Sequence, residues 1–182
     1  MKPVVTSIAA IVLQILCVSS PGAISSTSRN LVCNSSFRNG TNDWHFFVIR
    51  ANARGRIDSI AITAGQNSYE FEESDSGEAF LHSCVFDVNP SGRYRVSLWI
   101  RGQGRLRFEM LWWKVYSGTF IQASMDPLDT LLERHATGKW TKVEGVVSSP
   151  KDATRAYVRL IASGGNIWIE DVEARPVGSS KR

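Results

Sequence analysis

Three stretches of this chain alternate apolar and polar residues with a period of two. Tyr94, Val96, Leu98 and Ile100 alternate with Arg95, Ser97, Trp99 and Arg101. Leu106, Phe108, Met110 and Trp112 alternate with Arg107, Glu109, Leu111 and Trp113, and Ala156, Val158, Leu160 and Ala162 with Tyr157, Arg159 and Ile161. Successive side chains of a strand point to opposite faces, so each stretch has one face to bury and one to offer to solvent or a ligand. Further strands are predicted over residues 44–49, 56–63, 78–88, 140–147 and 167–175. Turn residues separate them. Asn89-Pro90-Ser91-Gly92 precedes Tyr94, Gly102-Gln103-Gly104 reads as a tight hairpin turn, and Ser117-Gly118 and Ser163-Gly164-Gly165-Asn166 follow. Short strands punctuated in this way specify an all-β antiparallel sandwich or barrel. One segment departs from the pattern. Asp126 is placed to cap a short helix with Pro127 at its first position, over residues 127–134.

The beginning of the chain bears on its compartment. Met1-Lys2 is a short basic start, and residues 4–18 form an apolar run interrupted by Thr6, Ser7 and Gln14. Small residues follow, and Ala23-Ile24-Ser25 fits a small-x-small cleavage site. That order reads as a secretory signal peptide over residues 1–25. The rival reading, an uncleaved anchor, needs a run of about 20 residues. The expected organisation is then a short leader over 26–30, one sandwich domain over 31–177 and a frayed tail over 178–182, with no membrane span in the mature chain. The expected localisation is extracellular.

Loss of Cys17 with the signal peptide leaves Cys33 and Cys84 as an even pair in an oxidising compartment, which predicts a disulfide. Two buried free thiols are the alternative. Asn34-Ser35-Ser36 and Asn39-Gly40-Thr41 are glycosylation sequons, so Asn34 and Asn39 are candidate acceptors in a host that glycosylates. The formal net charge is only +4, and Lys and Arg are scattered among acids, which argues against a nucleic-acid partner.

Several motifs carry a family resemblance. Asn34-Ser35-Ser36-Phe37-Arg38-Asn39-Gly40 followed by Trp44, then Gly92-Arg93-Tyr94-Arg95-Val96-Ser97-Leu98-Trp99, then Gly138-Lys139-Trp140 with Ile167-Trp168-Ile169-Glu170-Asp171-Val172, occur in order over residues 31–177. Together they resemble the carbohydrate-binding modules of the family 4, 9 and 22 group. The resemblance implies a galactose-binding-domain-like jelly roll, a polysaccharide or glycan as partner, and a concave sheet face as binding site. It also implies a structural calcium ion near Glu170 and Asp171. Arg38 stands where the family pattern carries an acid, and a cation there opposes calcium. No metal and no cofactor are therefore expected.

If the three alternating strands share one sheet, as the resemblance implies, their outward residues form a platform. Trp99, Trp113 and Tyr157 would stack on the apolar faces of sugar rings, while Arg107, Glu109 and Arg159 bond the hydroxyl edges. Arg101 lies on the same side of its strand as Trp99. The arginine excess points to an anionic glycan such as a uronate or sulfated polymer. Trp44, Trp112, Trp140 and Trp168 are assigned to the core. A protein-interaction or structural sandwich is the alternative, and a jelly-roll glycosidase or lyase a third reading. His45, His82 and His135 lie in no metal-ligand spacing, and no Gly-x-Ser-x-Gly elbow exists. The acids Glu70, Glu72 and Glu73, and the pair Asp129 and Glu133, are not placed predictably across a cleft. No catalytic residue is expected.

Overall fold

The alternating stretches become strands of two antiparallel sheets. The computed structural model describes residues 28–50, 53–59, 67–73, 78–116, 119–122 and 130–178. The expected signal peptide, most of the tail and Asp126–Asp129 lie outside these residues. In chain order the strands are β1 (His45–Arg50), β2 (Ala53–Asp58), β3 (Ser68–Glu73), β4 (Glu78–His82), β5 (Phe86–Asp87) and β6 (Arg93–Gly102). They continue with β7 (Gly104–Tyr116), β8 (Thr119–Gln122), β9 (Thr130–Ala136), β10 (Thr141–Ser148), β11 (Arg155–Ser163) and β12 (Ile167–Pro176).

One sheet has the order β1-β4-β11-β7-β8, with β5 also pairing β11 and β9 pairing the first half of β7. The other has the order β10-β6-β12-β3-β2. The inward faces of both meet in one core, where Tyr94, Val96, Leu98 and Ile100 of β6 face Phe108, Met110 and Trp112 of β7. The side chains named as inward in β6, β7 and β11 are buried, so strand parity reads as the alternation required.

Three expectations are corrected. Residues 130–136 are a strand, not the second part of a helix: Glu133 pairs Arg107 and Leu132 pairs Phe108. The open ladder edge of β7 satisfies the backbone here, and this outweighs a capping signal worth about 1 kcal/mol. Among the described residues there is no helix, and so none long and apolar enough to cross a membrane. Gly102-Gln103-Gly104 is not a hairpin but a corner, because β6 and β7 belong to different sheets. Gly102 has φ +124°, and a Cβ there would overlap the Asn166 carbonyl of the neighbouring β11–β12 crossing, so the tight passage requires glycine. Trp140 and Trp168 are only half-buried and stand outside the core, whereas Trp44 and Trp112 are buried in it. Ile167 and Ile169 point inward and are fully buried, which turns Trp168 outward. There Arg101 lies 5.9 Å from its ring centroid, and its Nε1 donates to Asp58 Oδ2 at 2.9 Å.

The segment before β1 is bonded to the last strand. The Leu31 amide donates to the Ala174 carbonyl, and Val172 to that of Ser35. Cys33 and Cys84 form the expected disulfide, with Cα atoms 6.0 Å apart. The bridge ties this segment, which lies along the five-stranded sheet, to the end of β4 in the seven-stranded one.

Candidate functional site: the outer face of the seven-stranded sheet

Strands β4, β11 and β7 lie side by side, and their registers fix which outward residues meet. Arg159 stands opposite His82 on one side and Glu109 on the other. Ile161 lies between Phe80 and Arg107, and Tyr157 opposite Leu111. At the edge, Phe47 of β1 faces Phe80, and His45 faces His82.

The aromatic rings form a row across the strands. Trp113 and Tyr157 have ring centroids 6.2 Å apart at 25°. Tyr157 lies 4.8 Å from His82, His82 stacks on Phe80 at 4.6 Å and 20°, and Phe80 stacks on Phe47 at 4.9 Å. Such pairs add to the burial of each ring. Beside the row sits a charged cluster. Arg159 Nε donates to Glu109 Oε2 at 2.6 Å, with Nη2 on the same oxygen, and Arg107 Nε lies 3.4 Å from Oε1. Glu109 is only 7% exposed while both guanidiniums stay partly open, so their outer nitrogens remain available to a ligand.

Burial governs the titratable groups in the row. It holds the His82 imidazole down at about 4, with Arg159 and then His45 adding to the effect, so the ring is neutral near pH 7. Burial also lifts the Tyr157 phenol; Arg159 opposes this and Glu109 adds to it, so the hydroxyl keeps its proton at neutral pH. The enclosed His82 Nε2 and Trp113 Nε1 have no hydrogen-bond partner among the described residues. Both are polar atoms set within an otherwise apolar row.

Of the six predicted residues, the structure brings together Arg107, Glu109, Trp113, Tyr157 and Arg159. Trp99 is not with them. Strand β6 belongs to the five-stranded sheet, where Trp99 pairs with Lys142 and Glu170 on the opposite side of the molecule. Arg101 lies there too. Sequence reasoning missed Phe47, Phe80 and His82, although Phe80 and His82 alternate with Ala79 and Leu81, which are fully buried. The candidate acids are dispersed. Glu70 is buried against Arg56 in the other sheet, with Arg56 Nε donating to Oε2 at 2.6 Å, and Glu133 pairs with Arg105. Asp129 lies outside the described residues.

The calcium position implied by the resemblance does not fit the ion. Asp171 sits in the β12 bulge with φ +52°, its carboxyl raised first by burial and then by Glu173, and the charges of Lys142, Arg38 and Arg175 act on it. Three cations around one carboxylate oppose a divalent cation. Among the described residues no group of three or more His, Cys, Asp or Glu could hold a metal.

No protein-family model matches the chain, and no curated protein matches its sequence. Solved structures do match. A family 61 carbohydrate-binding module, solved with β-1,4-galactotriose, aligns with a TM-score of 0.56 at 20% identity, over 82% of this chain and 100% of its own. The fold is that of the carbohydrate-binding modules. A family 22 xylan-binding domain from Paenibacillus barcinonensis shares it with a TM-score of 0.52 at 13% identity, covering 80% of this chain and 94% of that one. The enzymatically active domain of tailspike protein 4 from bacteriophage CBA120 has a TM-score of 0.67 at 14% identity. That match covers 81% of this chain but only 21% of the solved domain, so the chain corresponds to about a fifth of that domain's length. At these identities the likeness concerns the module fold alone.

Proposed function

We propose that this chain is a secreted, non-catalytic carbohydrate-binding module that holds a polysaccharide on the outer face of its seven-stranded sheet. The observation that carries the reading is the union of an aromatic row, Trp113-Tyr157-His82-Phe80-Phe47, with a guanidinium-carboxylate cluster on one sheet face. A pyranose has apolar C–H faces and hydroxyl edges. Flat rings take the former, and Arg107, Arg159, Glu109 and the Tyr157 hydroxyl take the latter. Fold neighbours solved with a galactotriose, or described as xylan-binding, support a sugar as ligand class. The non-catalytic reading rests on Glu109, whose carboxylate is engaged by two guanidiniums. Because Arg107 and Arg159 outnumber the one carboxylate they share, the preferred polymer is an anionic one, a uronate or a sulfated chain.

Affinity electrophoresis against neutral, uronate and sulfated polysaccharides tests this. Trp113→Ala is expected to weaken binding at least tenfold, about 1.4 kcal/mol, with its melting temperature recorded to show that the sandwich is intact. Arg107→Ala and Arg159→Ala are expected to lower affinity for anionic polymers more than for neutral ones, with a loss that shrinks as salt rises. Folded variants that bind an identified polymer as the parent does would place the site elsewhere.

A further inference from the structure

We propose that Asn39 carries an N-linked oligosaccharide and that Asn34, whose sequon lies just before it, does not, because the fold engages one side-chain amide and leaves the other open. The inference rests on the export reading above, since this sugar is added in the secretory compartment. Asn34-Ser35-Ser36 and Asn39-Gly40-Thr41 satisfy the same short pattern, so sequence alone ranks them equally. The loop between Asn34 and Trp44 separates them. Asn34 sits in the left-handed region with φ +44° and holds this loop from within. Its Nδ2 donates to the Gly40 carbonyl at 3.0 Å and to the Asn42 carbonyl at 2.8 Å, which engages both amide protons. Its Oδ1 accepts from the Asn39 amide at 3.1 Å, and its own carbonyl accepts from Trp44 Nε1 at 3.1 Å and from the Phe37 amide at 3.0 Å. These bonds fold the loop over the buried Phe37–Trp44 pair, whose ring centroids are 5.1 Å apart.

Attachment of a sugar replaces one Nδ2 proton by a carbon. At Asn34 that removes one of the two donated bonds and sets a pyranose against a carbonyl already at hydrogen-bond distance, so a chain glycosylated there cannot close the loop. Asn39 differs in each respect. It enters the loop through its main chain, the amide donating to Asn34 Oδ1 and the carbonyl accepting from the Asn42 amide. Its side chain is exposed and makes no hydrogen bond among the described residues. Thr41 is exposed as well, and a Cβ added at Gly40 would meet nothing within 4 Å, so the whole sequon borders open space. In the transfer, Asn39 Nδ2 attacks the anomeric carbon of an oligosaccharide carried on a polyprenyl diphosphate. The carbon–nitrogen bond forms, the bond from that carbon to the diphosphate oxygen breaks, the polyprenyl diphosphate leaves with the electron pair, and one Nδ2 proton passes to a base of the transferase.

The test is production of the full-length chain in glycosylating animal cells, followed by release of N-glycans with an amidase that converts the carrying Asn to aspartate. Peptide mass spectrometry of the secreted protein is expected to find that conversion at position 39 and not at position 34, with a single glycan per molecule. Two variants break one sequon each without touching either Asn side chain. Thr41→Ala is expected to abolish the glycan, and Ser36→Ala to leave it in place. Asn34→Gln is expected to keep the glycan at Asn39 and to melt below Asn39→Gln, because it loses the bonds that close the loop. A glycan on Asn34 of the secreted protein, two glycans per molecule, or loss of the glycan in Ser36→Ala would each overturn the proposal. Failure of the chain to enter the secretory compartment, read as protease sensitivity outside isolated microsomes, would overturn the export reading and the proposal with it. An imported chain without a glycan at Asn39 would overturn the proposal alone. None of these outcomes depends on which polysaccharide the sheet face binds.

Discussion

His82 lies where three influences meet, and each disfavours its charge. Burial is the largest, followed by the charges of Arg159 and His45, and the folded-state value falls from 6.5 to about 4. The unfolded chain takes up this proton as pH falls through about 6.5, while the folded chain does so only near 4. Between those values the unfolded state holds the extra proton, so this group's stability contribution is present above the upper value and is lost as pH falls through the window. His82→Phe keeps an aromatic ring between Phe80 and Tyr157 and removes the proton. Denaturant unfolding of both proteins at a series of pH values is expected to show the parent losing stability relative to the variant across this window. Parallel curves would mean that the imidazole titrates alike in both states. The same neutrality predicts that His82 imposes no pH dependence on the binding face near pH 7. Trp113 was legible as a face residue because parity settles which side of β7 it occupies. His82 was less legible, because its value depends on Arg159, more than seventy positions away in the chain.

Among the elements, β2 and β3 show how a sheet edge is fixed by one small residue. Gly55 faces Phe71 in the register, and a Cβ there would overlap the Tyr69 hydroxyl and meet the Phe46 ring at 3.0 Å. Tyr69 has little freedom to retreat, since Phe37, Phe46 and Phe71 surround it and it is 1% exposed. Gly55→Ala is expected to cost about 1–3 kcal/mol by overpacking, read as a lower denaturation midpoint with unchanged slope. A neutral outcome would show that β2 moves away freely. Strand β3 illustrates what was hidden. Tyr69 and Phe71 alternate with Glu70 and Glu72, but the acids read as a polar surface until Arg56 supplied a partner for the buried Glu70. For β6, alternation gave the buried face correctly and still misplaced Trp99, because period two separates the faces of a strand and carries nothing about which sheet it joins. In β9, local capping chemistry pointed to a helix, and only the open edge of β7 decided otherwise. The β12 bulge gives a prediction of a different kind. With Arg38, Lys142 and Arg175 acting on Asp171, a chelator followed by excess calcium is expected to leave the melting temperature unchanged. A calcium-dependent rise of many degrees would show that Glu170, Asp171 and backbone carbonyls suffice despite those cations.

At the scale of the whole molecule, the two sheets are held by their shared core and by one covalent tie. Cys33 belongs to the segment bonded along β12, through Leu31 to Ala174 and Ser35 to Val172. Cys84 follows β4, where the Ser83 amide donates to the Val158 carbonyl of β11. The bridge therefore closes a circuit between the sheets, spanning 51 positions of sequence. Loop-closure entropy for a loop of that length corresponds to about 4 kcal/mol, most of it acting on the unfolded chain. Cys84→Ser together with Cys33→Ser removes the tie without leaving a reactive thiol at either site. For a domain of this size each kcal/mol lowers the melting temperature by roughly 2–4 °C, so a loss on the order of 10 °C is expected. The aromatic row and the Glu109 cluster lie on β1, β4, β7 and β11 of the seven-stranded sheet, whereas the segment that carries Cys33 is bonded along β12 of the five-stranded one. The double variant is therefore expected to keep the parent's glycan affinity at temperatures where it remains folded, while unfolding at lower denaturant concentration. Thermal melts of the oxidised parent, the reduced parent and the double variant separate the contributions. If reduction and substitution both leave the melting temperature of the parent, the bridge is a consequence of the fold and contributes nothing to its stability. A drop in affinity equal to the drop in stability would instead mean that the segment before β1 helps to shape the binding face.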